Sequence, residues 1–431
     1  ALCAKEEAAV WPIIAATDGA VLGGVLLLLC GYGGRQQWRR YRRAMEATAA
    51  ALDARRDRCK RAVNAMQELR HSFCLLRFVD LRELGEFVRH ESALERGKLR
   101  HLHTMREAAA FSAAHPVVFC SHQWLAFAHP DPAGVQHATL VAACEKLCAE
   151  QGFAEGDLYV WLDYSCVPQS NRAMQLAAIS SLHAYAACSK YFVAVVPPTA
   201  HCDTDAACDG GSYAGRGWCR LEQMAYVLVH GTTHAYSHDS TELHRLATRQ
   251  GWLASALDVF GANFSQAGDR LVLVDVLLGL YGFAILGQGS EGGQPAAGRT
   301  ADVENTVGPA DLWGLIEAQK STVFPAAYFT DLVALLEKGL ETTIKNDKGG
   351  GEKGGEKGGG GGEPALFSAE ELARLLQARQ DFLAIQGRTL RPELTKHLEE
   401  RKLQVLGHAR LPADGSTMHG VQAVPEQLLS A

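Results

Sequence analysis

After Cys219 the chain has no cysteine, and the 12 that come at or before it include no Cys-x-x-Cys pair. His201, Cys202, Cys208 and Cys219 gather in sequence at irregular intervals. A zinc site needs paired ligands at short regular spacing, so no metal is expected. Thiols scattered without a pairing pattern read as reduced and intracellular. A basic excess is also missing: Lys and Arg number 42 against 48 Asp and Glu, a net charge of −6. That excludes a nucleic-acid footprint over the whole chain, and no nucleic-acid partner is expected. Phosphate-loop spacing is absent too. The glycines of Lys348 to Glu363 stand among Lys and Glu only, with no strand before them, which makes a flexible linker. Gly and Pro are absent from Gln36 to Arg70, leaving nothing to interrupt a helix there.

What is present can build a core. The 431 residues are 47% apolar and 21% charged, enough for two or three domains. Trp11 to Gly33 is mostly apolar over 23 residues. A bilayer needs about 20. Arg35, Arg39, Arg40, Arg42 and Arg43 follow it, interleaved with Trp38 and Tyr41. Aromatics and arginines at one end of an apolar span mark a cytosolic membrane interface. The expectation is a single-pass membrane protein, residues 1–34 its anchor and the bulk of the chain cytosolic. The rival readings are a signal-peptide core or a buried Leu-rich helix. Residues 35–62 carry ten Arg or Lys and three Asp or Glu, so 10 − 3 = +7. They open a basic helical region, 35–112, with Leu76, Val79, Leu81, Leu84 and Phe87 continuing the helical spacing.

From His115 the pattern changes. Val117–Cys120, Leu158–Leu162 and Tyr191–Val196 are continuous apolar runs separated by helical spacings. That alternation predicts an α/β fold, a parallel sheet with helices on both faces, over residues 113–300. In such sheets ligands sit beyond the carboxyl ends of the strands. Polar groups stand at those ends: Ser121, His122 and Trp124 after the first run, Asp163 to Gln169 after the second. The loop after the third run leads to Gly215-Arg216-Gly217-Trp218-Cys219-Arg220-Leu221-Glu222, which opens a helix. Glu222 reads as a catalytic carboxylate, as a helix-start residue favoured by the dipole, or as an ion-pair partner of Arg216 or Arg220. Asp163 is a strand-end ligand group or a turn cap. A nucleophilic Cys120 or Cys166 lacks any third orienting group. Leu271 to Leu286 reads as a buried helix because Asp275 interrupts it and no aromatic or basic belt flanks it. A helical extension over 301–347, a linker over 348–364 and a C-terminal helical segment over 365–431 complete the chain. Ser368 and Glu371 form a capping box at the start of that segment.

Two families share these motifs. Ser121-His122 ending a strand, with Ser189 to Val196 and Trp218-Cys219-Arg220-Leu221-Glu222 after it, resembles the Toll/interleukin-1 receptor (TIR) domain. Trp161-Leu-Asp163-Tyr-Ser-Cys166-Val-Pro-Gln169, followed by Arg216, Trp218 and Glu222, resembles the fungal heterokaryon-incompatibility (HET) domain. The combined set also resembles TIR-like membrane proteins of algae and other protists. The likeness spans about residues 115 to 230. It implies a TIR/flavodoxin-like sheet and a signalling role. Some TIR domains hydrolyse NAD+ at the nicotinamide–ribose bond, and by position Glu222 would carry that chemistry, with NAD+ as substrate and no bound cofactor. Nicotinamide leaves as a neutral group from a cationic ring and needs no general acid, while a carboxylate stabilises the oxocarbenium-like ribosyl centre. Trp124 or Trp218 would stack on a ring, and Arg216 or Arg220 would meet the pyrophosphate. Other TIR domains are not enzymes and assemble with one another, which makes a self-associating interaction module the alternative. The region after Asp163 departs from the usual TIR loop.

Overall fold

A computed structural model describes residues 36–246, 256–266, 268–288, 291–292, 308–348, 365–385 and 387–408. Its centre is a seven-stranded sheet. The strands are β1 (Phe73–Arg77), β2 (Leu99–Leu102), β3 (Val117–His122), β4 (Tyr159–Leu162), β5 (Tyr191–Val195), β6 (Ala235–His238) and β7 (Leu243–Arg245). Their order is β2-β1-β4-β3-β5-β6-β7. The four inner strands run parallel, and antiparallel strands close both edges.

The inner strands are buried on both sides, as continuous apolar runs require. The β3-to-β4 crossover carries helix α2 (Val135–Gln151). The β4-to-β5 crossover carries α3 (Leu182–Ala187). After β5 come α4 (Gly210–Ala214) and α5 (Gly217–His230). From β3 the chain steps one way to β4, then the other way to β5 and β6. Right-handed crossovers then place α2 on one face and α3 and α5 on the other. The two cores agree. Leu140, Ala143 and Leu147 of α2 pack with Val118, Val160 and Val193. Leu182 of α3 and Leu221 and Met224 of α5 pack with Phe119, Trp161 and Phe192. The order reverses at β3, so a crevice site is expected between the carboxyl ends of β3 and β5.

A helical layer covers the α3/α5 face. Helix α1 (residues 36–64) is exposed over its first half, while Cys59, Ala62 and Val63 in its second half are buried. It lies against α6 (Asp269–Leu286), α7 (Leu332–Lys348) and α8 (Ala369–Ile385). Arg55–Asp331 (2.7 Å), Arg58–Asp275 (2.5 Å) and Lys60–Glu371 (2.8 Å) border the contact. The capping box at Ser368 and Glu371 is present.

Two expectations change. The helical spacing read over 73–111 gives way to strands β1 and β2, so part of the basic helical region belongs to the sheet. Phe73–Leu76 is a short apolar run, and periodicity cannot tell a buried strand of that length from a helix. The expectation of a single-pass membrane protein is also corrected. Among the described residues no helix is long and apolar enough to cross a membrane. Helix α6 is apolar over most of its 18 residues, but it carries Asp269, Arg270 and Asp275 and is packed into the core, the buried helix expected for Leu271 to Leu286. The apolar stretch 11–33 lies outside the described residues, as do residues 349–364 of the linker and 409–431.

Candidate active site at the carboxyl end of strand β3

Side chains alternate along a strand, so Ser121 and His122 at the end of β3 point to opposite faces. Ser121 meets α5. Its Oγ donates to Glu222 Oε2 at 2.6 Å, and the Tyr213 hydroxyl of α4 lies 2.8 Å from the same Oγ. With the Ser121 proton on the carboxylate, Tyr213 is the donor in that second bond. Glu222 is 9% exposed, and its Oε1 takes no hydrogen bond among the described residues. Burial and the charge of Asp163 push the Glu222 carboxyl up to about 8, against the opposing pull of Ser121 and His122.

His122 meets α2 and the end of β4. Its Nε2 lies 2.8 Å from Asp163 Oδ1, and its Nδ1 lies 2.7 Å from Gln136 Oε1. Gln136 spends its Nε2 on the Gln123 carbonyl at 2.7 Å, which fixes its oxygen toward the ring. Both ring nitrogens therefore face acceptors, and both carry protons: His122 is held as an imidazolium. Burial opposes the charge, but Asp163 and Gln136 outweigh it and the His122 pKa is raised. Asp163 is the reciprocal case. Burial would raise it, while His122, the Trp124 Nε1–H (3.2 Å) and the Tyr164 backbone N–H (2.6 Å) hold it below the usual carboxylate range. Its side chain remains partly open to water. Trp124 stands edge-on to Tyr164, with ring centroids 5.6 Å apart.

Ser121, His122, Trp124, Asp163 and Glu222 thus come together, from a strand end, a loop, a second strand end and a helix. Arg216, Trp218 and Arg220 do not join them. Arg216 Nη2 donates to Ser265 Oγ at 2.8 Å, and Trp218 Nε1 donates to Asp269 Oδ2 at 2.8 Å. Arg220 donates to the carbonyls of Ala214 and Asp258, both at 2.6 Å. The ion pair expected between these arginines and Glu222 is absent among the described residues. Helix α5 begins at Gly217, so Glu222 lies beyond the first turn, where the dipole would favour a carboxylate. Both structural explanations read from sequence fail for Glu222. Sequence spacing gave no sign of Tyr213 or Gln136, because each reaches the site from a different helix.

Cys120 and Cys166 are buried with thiols pushed up, Cys120 well above its usual range, so neither is a nucleophile. Among the described residues no group of His, Cys, Asp and Glu can hold a metal ion. No protein-family model, curated protein or solved structure matches the chain.

Proposed function

We propose that the cluster at the end of β3 is a catalytic centre that cleaves the nicotinamide–ribose bond of NAD+, with Glu222 as the acting carboxylate, in a TIR-like signalling protein. One observation carries the reading. A buried carboxylate with no cationic partner in hydrogen-bond contact is held by Ser121 at the point where the strand order reverses. Burying such a group costs free energy without a compensating pair, which is the usual mark of a functional carboxyl. The inner strand order, with β3 first in sequence between β4 and β5, is that of a flavodoxin-like sheet and supports the family likeness.

The roles follow from the geometry. Glu222 Oε1, the oxygen with no internal partner, faces the ribosyl centre and stabilises positive charge as nicotinamide departs. Ser121 holds Oε2 and fixes the carboxylate. The His122–Asp163 pair holds the other side of the strand end, and Trp124 offers a ring face beside Asp163. A cationic nicotinamide ring entering the site favours the ionised form of Glu222. The test is nicotinamide release by the purified full chain. Glu222→Gln is expected to lower kcat by about 100-fold or more. In the native chain kcat/KM should rise with pH around a midpoint near 8, where Glu222 ionises. No release by native protein at any pH, or equal release by the variant, would overturn the reading.

A second reading, self-association without catalysis, is favoured by the free half of α1. Trp38, Tyr41 and Met45 are 64%, 57% and 54% exposed and fall on one stripe of that helix. Sedimentation of the full chain separates the two readings. A native oligomer that becomes monomeric in Trp38→Ala, with no turnover of NAD+, would favour the second.

A further inference from the structure

Tyr213 is 4% exposed and reaches the end of β3 from α4, a helix of five residues. A helix that short does not hold its shape by itself, so its anchors decide where the hydroxyl stands. Asp209 caps it: the Ser212 backbone N–H donates to Asp209 Oδ1 at 2.8 Å, and the Asp209 N–H donates to Ser212 Oγ at 2.7 Å. Gln123, the residue after His122, ties α4 to the strand end, its Nε2 donating to Ser212 Oγ at 2.9 Å. Arg220 of α5 holds the far end, its Nε donating to the Ala214 carbonyl at 2.6 Å.

The Tyr213 hydroxyl has one hydrogen-bond partner among the described residues, Ser121 Oγ at 2.8 Å. Burial pushes the phenol well above its usual range, so it keeps its proton. A buried O–H without an acceptor is costly, so that proton points to Ser121. Ser121 has a single proton of its own, which then goes to Glu222 Oε2, 2.6 Å away. The chain runs one way, from Tyr213 to Ser121 to the carboxylate, and its direction favours an ionised Glu222. With Oε2 already accepting, a protonated Glu222 must carry its proton on Oε1, which has no hydrogen bond among the described residues.

We propose that Tyr213 is a positioning residue for Glu222: its hydroxyl orients that of Ser121, which occupies Oε2 and leaves Oε1 as the oxygen that faces substrate. The catalytic effect rests on the reading of Glu222 given above; the hydrogen-bond chain does not.

The experiment titrates the Glu222 carboxyl by carboxyl-carbon NMR in the full chain, native and Tyr213→Phe, beside the pH profile of nicotinamide release. The signal is assigned by its loss in Glu222→Gln. Phenylalanine keeps the ring and removes only the O–H. Ser121 Oγ is then free to accept from a protonated Oε2, so the neutral form gains. The carboxyl midpoint should move up from about 8 by about half a unit or more, and kcat/KM at pH 7 should fall about threefold or more. A merely structural tyrosine would lower activity at every pH and leave the midpoint in place. An unmoved or lowered midpoint in Tyr213→Phe would overturn the proposal. Gln123→Ala frees α4 from the strand end and should move the midpoint in the same direction. If Tyr213→Phe does not fold, Gln123→Ala decides, and an unmoved midpoint there overturns the proposal. A raised midpoint in protein that releases no nicotinamide would uphold the Tyr213 chain and remove the NAD+ reading instead.

Discussion

Glu222 and His122 show how a residue's charge is set by what reaches it from other elements. Glu222 is raised to about 8 by burial first and by Asp163 second. The native chain therefore keeps a proton that the unfolded chain releases between about pH 4.3 and 8. Stability from this group is present at low pH and lost as pH rises through 8. Glu222→Gln should remove that slope and gain on native protein by a few kcal/mol at pH 9, one unit being worth about 1.4 kcal/mol. Urea midpoints at pH 6 and 9 check it, and parallel curves for the two proteins would refute the shift. His122 offers a second check. Gln136→Leu removes the acceptor from Nδ1 and leaves Asp163 alone to hold the imidazolium. The His122 pKa should then fall, because one of the acceptors that raises it is gone, and its ring-proton shifts read the change. Of these residues, Ser121, His122, Trp124, Asp163 and Glu222 were legible in the sequence because strand-end positions identify themselves once the apolar runs are seen. Tyr213 and Gln136 were not. Each is a single polar residue on its own helix, and only the folded topology brings it to Ser121 or His122.

At the scale of elements, sequence legibility followed punctuation. The inner strands β3, β4 and β5 stood out as apolar runs closed by polar ends and set apart by helical spacings. Strands β1 and β2 were hidden, because the first passes directly into the helix Phe78–Leu84 and the second, Leu-Arg-His-Leu, alternates only weakly. The seat of α1 was equally silent. Its second half rests on α6 at Gly279, where a Cβ would lie 2.5 Å from the Ala62 carbonyl, and at Gly282, where it would meet Val63 Cγ2 at 2.5 Å. Backbone cannot yield as a flexible side chain does, so this approach requires glycine. Gly279→Val should force α1 away from α6 and cost about 1–3 kcal/mol. Faster hydrogen exchange over residues 55–64, with β3 and β5 unchanged, is the expected signature. Uniform loss across the sheet would instead mean that α1 and the sheet unfold as one unit.

Across the whole molecule, the sheet and the helical layer are joined at His183. This residue of α3 is 3% exposed, its Nε2 lies 3.1 Å from the Met66 carbonyl beyond α1, and its ring centroid lies 5.6 Å from that of Phe382 of α8. Burial lowers its pKa to about 4, with Arg70 adding a little. The unfolded chain takes up a proton near pH 6.5, which the native chain refuses until about pH 4. Stability from His183 is therefore full above pH 6.5 and lost as pH falls toward 4. Between pH 7.5 and 5 the loss should be about 2 kcal/mol, at about 1.4 kcal/mol per unit. His183→Gln keeps a donor for Met66 and cannot titrate, so its urea midpoint should fall less over that range. This dependence opposes that of Glu222, so the native chain should be most stable between the two. Glu222→Gln should move the maximum upward in pH, and His183→Gln should move it downward. A double variant should flatten the curve, because the two residues share no partner and their effects should add. If the double variant keeps the native maximum, other groups set the pH dependence, and the join at His183 does not govern how the helical layer holds to the sheet.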